Sequence, residues 1–378
     1  MRILVVSRSY PAAGDLYQYP FVHRRVLAYR AAGHEVAVFR PLETTAPMQH
    51  MFDTVTCTSG DRAALDKVVQ HFRPEVIAAH GFSEGMAPFL ASQLRRLPVC
   101  AWLHGSEIPG FARQKAEALP EGEEQRAALE AVDRRTRFWR EFLAHPPERF
   151  RLVFVSRSAV DLARQDLRDV LPVEEQAVIH NPIDTDLFAY RKKDAKDRLR
   201  IFMLRPFDSW TYGNDLAVSA ILRLRERAEF NRLRFTICGR GPMFDEVTAP
   251  LRGVANVEVR PTFLSQQEIA AEHGRHGIFL VPTRLDTQGV SRDEAMASGL
   301  VPVTNAVSAV PEFVDENCAG LASADDAVGL ADAIWTMVER PELFLARSVQ
   351  AAERVRKQSG HEVIIPRELE LLQEAAGG

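Results

Sequence analysis

VPTRLDTQGVSRDEAMASGLVPVTNAVSAVP, residues 281–311, reads as an apolar strand stopped at Pro282, a polar loop to Gly289, a helix starting near Ser291 and a second apolar strand at Val301–Thr304. A strand, loop and helix in this order aim backbone N–H groups at whatever sits above the strand ends. The helix N-terminus carries about half a positive charge and several unpaired donors, which makes a diphosphate a natural ligand, and Gly289 lets the main chain approach it closely. Asp286 on the loop and Glu294 in the first helical turns have seven residues between them. They can therefore touch opposite ends of one ligand, Glu294 accepting from two ribose hydroxyls and Asp286 from hydroxyls of a sugar. Alone, such an acid pair also fits an ordinary surface helix.

Outward from this window, strand-like and helix-like runs alternate: Arg200–Leu204, Asp215–Arg227, Leu233–Cys238, Val257–Arg260, Gln266–His273, Ile278–Val281 and Arg292–Ser298. An earlier series, Ile3–Ser7, Phe21–Ala32, Glu35–Phe39, Val76–Ala79, Val99–Leu103 and Leu152–Val155, has the same character. Alternation of this kind predicts parallel strands covered by helices, here as two Rossmann-like halves in tandem. Gln114–Ala144 reads as a surface helical excursion, and Asn181-Pro182 as a strand exit, since Pro182 disfavours helix on either side. Ala327–Arg340 is the last strong helix pattern, followed by a mostly polar stretch and the run Ile364–Leu372. The expected division is residues 1–185, residues 186–355, and a helical segment at residues 356–378 that packs back on the first domain or stands apart from it.

Bulk properties agree with two domains, since 378 residues exceed the roughly 250–300 that one core supports. Hydrophobic residues make up 46% and charged residues 26%, and no run approaches the ~20 apolar residues of a membrane span. The first run, MRILVVS, is too short for a signal-peptide core. Cys57, Cys100, Cys238 and Cys318 lack paired short spacing, which predicts buried reduced thiols rather than zinc ligands or disulfides. A net charge of −4 argues against a nucleic-acid partner. These features lead to the expectation of a cytosolic protein, soluble or peripheral.

Glu294-Ala295-Met296-Ala297-Ser298-Gly299-Leu300-Val301-Pro302-Val303 resembles the hallmark of the retaining GT-B glycosyltransferases of family 4, the group 1 glycosyl transferases: two acids with seven residues between them, then Ala-Met-Ala-x-Gly-x-Pro-Val. This chain has one extra residue before the proline, Asp286 in place of the usual Glu, and Gln288 in place of the usual aromatic. Further matches follow in family order. VIHNPIDTDLF, residues 178–188, resembles the interdomain segment, and FTICGRGP, residues 235–242, the strand and glycine loop near the nucleotide. Gly239-x-Gly241 also fits a plain tight turn. VCAWLHGSE, residues 99–107, resembles the strand and histidine of the first domain, and SYPAAGDLYQY, residues 9–19, the glycine loop after the first strand.

The resemblance implies a GT-B fold, two Rossmann-like domains facing across a cleft. It also implies transfer of a hexosyl or deoxyhexosyl group from a nucleotide-sugar donor to a glycan or lipid-linked glycan acceptor. Retention of configuration, no metal or other cofactor, and a place in bacterial surface polysaccharide synthesis belong to the same expectation. No isolated Asp-x-Asp motif stands at a strand end. By the same resemblance His104, Asp286 and Arg205 are the catalytic residues, and Glu294, Gln288, Gly289, Val290, Gly239, Arg240 and Gly14 bind the donor. A histidine at a strand end is also a common structural feature, and Tyr17 and Tyr19 can stack on a sugar or pack the following helix.

The Lys that usually follows the Arg of the diphosphate clamp is missing: Arg205-Pro206-Phe207-Asp208-Ser209-Trp210-Thr211-Tyr212-Gly213-Asn214 holds a single cation, with Arg240 as the candidate substitute. Two rivals follow, an epimerase or inverting transferase of the same fold, and a silent nucleotide-sugar-binding or scaffold protein. Arg134, Arg135, Arg137, Arg140, Arg149 and Arg151, interleaved with Phe138, Trp139 and Phe142, fit contact with an anionic membrane or glycan, or a solvated helix face over a small apolar stripe.

Overall fold

The computed structural model describes residues 1–44, 46–171 and 177–377, arranged as two compact units, residues 1–182 with 364–378 and residues 183–363. In the first unit the strands are β1 (Arg2–Ser7), β2 (Glu35–Pro41), β3 (Met48–Phe52), β4 (Val55–Gly60), β5 (Val76–His80), β6 (Val99–Leu103), β7 (Phe150–Phe154) and β8 (Ala177–Val178). They form one sheet in the order β3-β4-β2-β1-β5-β6-β7-β8, parallel except for β3. The antiparallel β3–β4 hairpin, turned at Asp53 with φ 48°, is an addition that the alternation did not announce: β3 is largely exposed, so it has no apolar period to read.

Side-chain alternation along the parallel strands feeds two cores at once. Leu4, Val6, Ala101 and Leu103 enter one cluster, and Ile3, Val5, Cys100 and Trp102 the other. Strands buried on both faces must be apolar at every position, which is why they were legible as short continuous runs. The covering helices are α1 (Pro20–Ala31), α2 (Arg62–Phe72), α3 (Pro109–Glu117), α4 (Glu123–Ala144) and α5 (Arg157–Leu167). Their starts have local causes: Pro20 at the head of α1, the Asp61 carboxylate accepting from Ala64 N–H, and Ser156 Oγ accepting from Ala159 N–H.

Helices α3 and α4 occupy the expected excursion, yet it is not merely superficial. Trp139 is fully buried and its Nε1 donates to the Glu107 carbonyl at 2.8 Å, while Phe138 and Phe142 pack with Phe82 and Phe150. Trp139 is core and Phe138 and Phe142 pack half-buried against it, the apolar stripe that was one of the two readings of this helix. Arg135 pairs with Glu84, Arg151 with Glu374, and Arg149 donates to the Ala375 and Ala376 carbonyls.

The second unit is a six-stranded, wholly parallel sheet in the order β11-β10-β9-β12-β13-β14. Its strands are β9 (Arg200–Leu204), β10 (Arg234–Cys238), β11 (Val257–Arg260), β12 (Ile278–Leu280), β13 (Val301–Asn305) and β14 (Gly320–Ala322). Around them run α6 (Asn214–Leu224), α7 (Phe244–Thr248), α8 (Gln266–Arg275), α9 (Val290–Ala297), α10 (Val310–Phe313), α11 (Ala327–Glu339) and α12 (Pro341–Gln358). The polar stretch after Arg340 is therefore an 18-residue helix, missed because only a narrow stripe of it, Phe344, Ser348, Ala351, Ala352 and Val355, is buried.

The chain closes with α13 (His361–Gly377), whose residues from Ile364 onward belong to the first unit. There Ile364, Ile365, Leu369 and Leu372 complete a core cluster, and Glu368 accepts from Arg25 Nε at 2.8 Å and Tyr29 Oη at 2.6 Å, all three buried. A buried carboxylate is tolerable because it is paired and hydrogen-bonded. The four cysteines are buried and free. Among the described residues no helix is long and apolar enough to cross a membrane.

Candidate functional site

In the second unit the chain runs from β9 outward to β10 and β11, then returns to the other side of β9 for β12, β13 and β14. The strand order reverses between β9 and β12, and loops leaving adjacent parallel strands at such a point diverge to leave a crevice for a ligand. Arg205 immediately follows β9, and the Pro282–Gly289 loop follows β12.

Arg205 is 5% exposed. Its Nη2 donates to the Pro282 carbonyl at 3.1 Å, its Nη1 reaches Ser291 Oγ at 3.4 Å near the start of α9, and its guanidinium lies 5.2 Å from the centre of the Tyr212 ring. Among the described residues its Nε is buried without a hydrogen-bond partner. Burial disfavours its charge, with Asp286 acting in the opposite direction. A desolvated cation with an unused donor, at a helix N-terminus, costs stability unless an anion completes it.

Gly289 caps α9 with φ 94°, a conformation for which glycine is the ordinary choice. Asp286 is half-buried, and its carboxylate accepts the Gln288 N–H at 3.1 Å, which shapes the loop. Val290 and Glu294 are half-buried on the helix. Gln288 differs from the expectation of a donor contact: its side chain is 1% exposed and donates to the Asp293 carboxylate at 3.2 Å. Asp293 and Arg292 form a fully buried ion pair at 2.7 Å, and Arg292 also donates to the Gln288 carbonyl and lies over Phe313. Burial pushes the Asp293 carboxyl upward, while Arg292 pulls it down. This pair, absent from the sequence-based site, holds the loop from beneath. Its signal was present, because Arg292 stands at helical spacing from Ala295 and Met296, on a face of α9 that is otherwise apolar and buried.

Gly239 and Gly241 serve close backbone approach. A Cβ on Gly239 would overlap the Arg205 carbonyl oxygen and the Phe207 ring, and one on Gly241 the Phe207 carbonyl. Phe207 N donates to the Arg240 carbonyl at 2.8 Å and Met243 N to the Phe207 carbonyl at 3.0 Å. The glycine loop is thus zipped to the segment that begins with Arg205, while the Arg240 side chain is exposed. Gly239→Ala is expected to lower stability by about 1–3 kcal/mol through forced displacement of that segment. Urea unfolding checks this, and an unchanged midpoint would show that the two loops can part without cost.

In the first unit the order reverses between β1 and β5, and the segments after β1 and after the next strand, β6, bring together Arg8, Tyr19, His104 and Glu107. Glu107, 1% exposed, accepts from the His104 N–H and Gly105 N–H at 3.0 Å each and from Tyr19 Oη at 3.2 Å, with Arg8 at 3.7 Å. The His104 imidazole lies 3.1 Å from that of His80, and burial and the Arg25 charge hold both well below the ordinary histidine range. Both are neutral at pH 7, so His104 offers a polar contact without charge. Tyr19 packs against Phe21 and His104 as well as bonding Glu107. Gly14 is exposed, and a Cβ there would meet nothing within 4 Å, so this conformation makes no demand for glycine.

Asp184 and Asp186 form an Asp-x-Asp in the connecting segment, and with His361 they place ligand atoms within 4.8 Å of one another. The Thr185 N–H donates to His361 Nδ1 at 3.2 Å. In the neutral ring the remaining proton then sits on Nε2, 3.6 Å from the Asp186 carboxylate, an electrostatic contact beyond hydrogen-bond distance.

The fold and the site define an α/β protein of two open-sheet units, with a buried cation and a helix N-terminus at the switch point of the second. Residues 198–340, spanning most of that unit, match the family model described as Glycosyl transferases group 1. Nearly the whole chain is similar in structure to sucrose-phosphate synthase from Thermosynechococcus elongatus (TM-score 0.76, 16% identity, covering 99% of this chain and 98% of that one). It is also similar to Anabaena HepE in complex with UDP and glucose (TM-score 0.70, 13% identity, 99% and 100%). A third similar structure is the α,α-trehalose-phosphate synthase from Burkholderia xenovorans in complex with glucose-6-phosphate (TM-score 0.71, 13% identity, 99% and 100%). The architecture is the GT-B fold, and the family match supports a transferase. A search of curated proteins finds no match.

Proposed function

We propose that the chain is a retaining glycosyltransferase that moves a sugar from a nucleoside-diphosphate donor to a glycan or lipid-linked glycan hydroxyl, as in bacterial surface polysaccharide synthesis. The observation that carries the donor assignment is Arg205, buried at the N-terminus of α9 with its Nε unpartnered, inside the stretch that matches the group 1 family. The UDP and glucose of the HepE structure support it by likeness of fold.

In this reading the bond from the anomeric carbon to the diphosphate oxygen breaks, and negative charge grows on the leaving group. Arg205 and the N–H groups at Gly289 and Val290 stabilise that charge, which is where fixed donors in a dry site lower a barrier most. The acceptor oxygen attacks from the face the leaving group departs, and its proton passes to the departing phosphate. Glu294 takes ribose hydroxyls and Asp286 hydroxyls of the sugar. His104 meets the sugar on the ground of the sequence resemblance alone. Turnover is expected to survive chelation of divalent metals.

Calorimetric titration with UDP, GDP, dTDP and CMP tests the donor site. One nucleotide is expected to bind selectively, weakened by roughly 1.5–3 kcal/mol in Glu294→Ala. Binding of none of the four would sink the donor assignment. The missing second cation favours one rival, a silent protein that binds nucleotide sugars without using them. Donor turnover decides between the two, and the anomeric configuration of the product decides retention.

A further inference from the structure

We propose that the Tyr212 hydroxyl is the second hydrogen-bond donor to the terminal phosphate of the bound diphosphate, at the place where a second cation is lacking; this rests on the donor site proposed above. Between Arg205 and Asn214 the chain has one cation. Tyr212 lies beside it, ring centre 5.2 Å from the guanidinium, and its phenol feels the charges of Asp208, Arg205 and Asp286. These are the groups of the β9–β12 switch point.

The position of Tyr212 is built rather than incidental. It ends a short turn at Trp210–Tyr212, started by Ser209 Oγ accepting the Thr211 N–H at 3.3 Å and closed by Gly213 at φ 61° against Pro282. From the other loop, Thr283 Oγ1 donates to the Thr211 carbonyl at 3.0 Å, and the Arg284 N–H donates to the same oxygen at 2.9 Å. The Arg284 guanidinium adds a bond to the Trp210 carbonyl at 2.8 Å and a two-pronged pair with Asp215. Contacts from both loops therefore hold the turn that carries this tyrosine beside the arginine.

Tyr10, Tyr19 and Tyr29 each spend their hydroxyl on an internal partner: His23, Glu107 and Glu368. Among the described residues no side chain or carbonyl takes a hydrogen bond from the hydroxyl of the half-buried Tyr212. Burial and the neighbouring carboxylates hold the phenol protonated. A neutral, directional donor beside a desolvated guanidinium suits one phosphate oxygen, and its strength does not depend on titration.

The test is calorimetric binding of UDP, GDP and dTDP, each against its monophosphate, to wild type and Tyr212→Phe. The phenylalanine keeps the ring under Arg205 and deletes only the hydroxyl. The expected result is a roughly tenfold or greater loss of affinity for the diphosphate, no change for the monophosphate, and an unchanged Tm. Undiminished diphosphate binding overturns the proposal, as does equal weakening of both nucleotides with a lowered Tm, the mark of a structural role. If wild type binds none of these nucleotides, the donor site itself fails and this role fails with it.

Discussion

Arg205→Ala is expected to reduce kcat/KM for the donor by roughly 10²–10³, while leaving stability in urea within about 1 kcal/mol of wild type. The two halves of this expectation have one cause. Arg205 is a cation taken out of water whose Nε has no partner among the described residues, so its burial contributes little to folding and lowers its hold on the proton. Opposite a leaving diphosphate, the same desolvation strengthens its attraction to the developing charge. Arg205→Lys is expected to recover only part of the loss, because a point charge cannot serve the Pro282 carbonyl, Ser291 Oγ and the Tyr212 face at once. Activity within threefold of wild type would show that the guanidinium does not face the leaving group. A large loss of stability alongside the loss of activity would recast Arg205 as a structural residue.

The parallel strands were legible because they are buried on both faces. Runs such as Ile3–Ser7 and Arg200–Leu204 keep the same boundaries to within a residue. The β3–β4 hairpin and α12 were not, since a mostly exposed strand and a helix with a thin buried stripe leave little apolar period. The site followed the same logic. Asp286 and Gly289 lie in the loop between β12 and α9 and were read from the strand-loop-helix order, whereas Arg205, directly after β9, came from the family resemblance. What surrounds them was hidden for physical reasons. Gln288 turns inward because Asp293 offers an acceptor below the loop, and no local pattern reports a partner five residues on that is itself paired. Gly239 and Gly241 suggest phosphate contact in sequence, yet the Arg205 carbonyl and Phe207 ring lie where a Gly239 side chain would be, and the Phe207 carbonyl where one on Gly241 would be. Glu107 stood inside the window around His104 without a role, because its partners Arg8 and Tyr19 come from a different loop.

Asp293→Ala is expected to cost about 3–5 kcal/mol of stability, the penalty of leaving Arg292 buried without its counter-charge. Arg292 would keep the Gln288 carbonyl as an acceptor, and the Gln288 amide would lose the carboxylate it donates to. Replacing both charges together, Arg292→Leu with Asp293→Leu, removes the desolvation cost along with the pairing and is expected to restore most of the loss. A double-mutant cycle in urea measures the coupling directly. The functional outcome should differ from the stability outcome. Without Arg292 beneath Gly289 and the Gln288 carbonyl, the loop no longer presents its N–H groups at a fixed position, so the stable double variant is expected to keep a depressed kcat/KM for the donor. Full activity in the double variant would mean that the pair serves packing alone. A double variant no more stable than Asp293→Ala would mean that the strain lies in the shape of the site rather than in its charges.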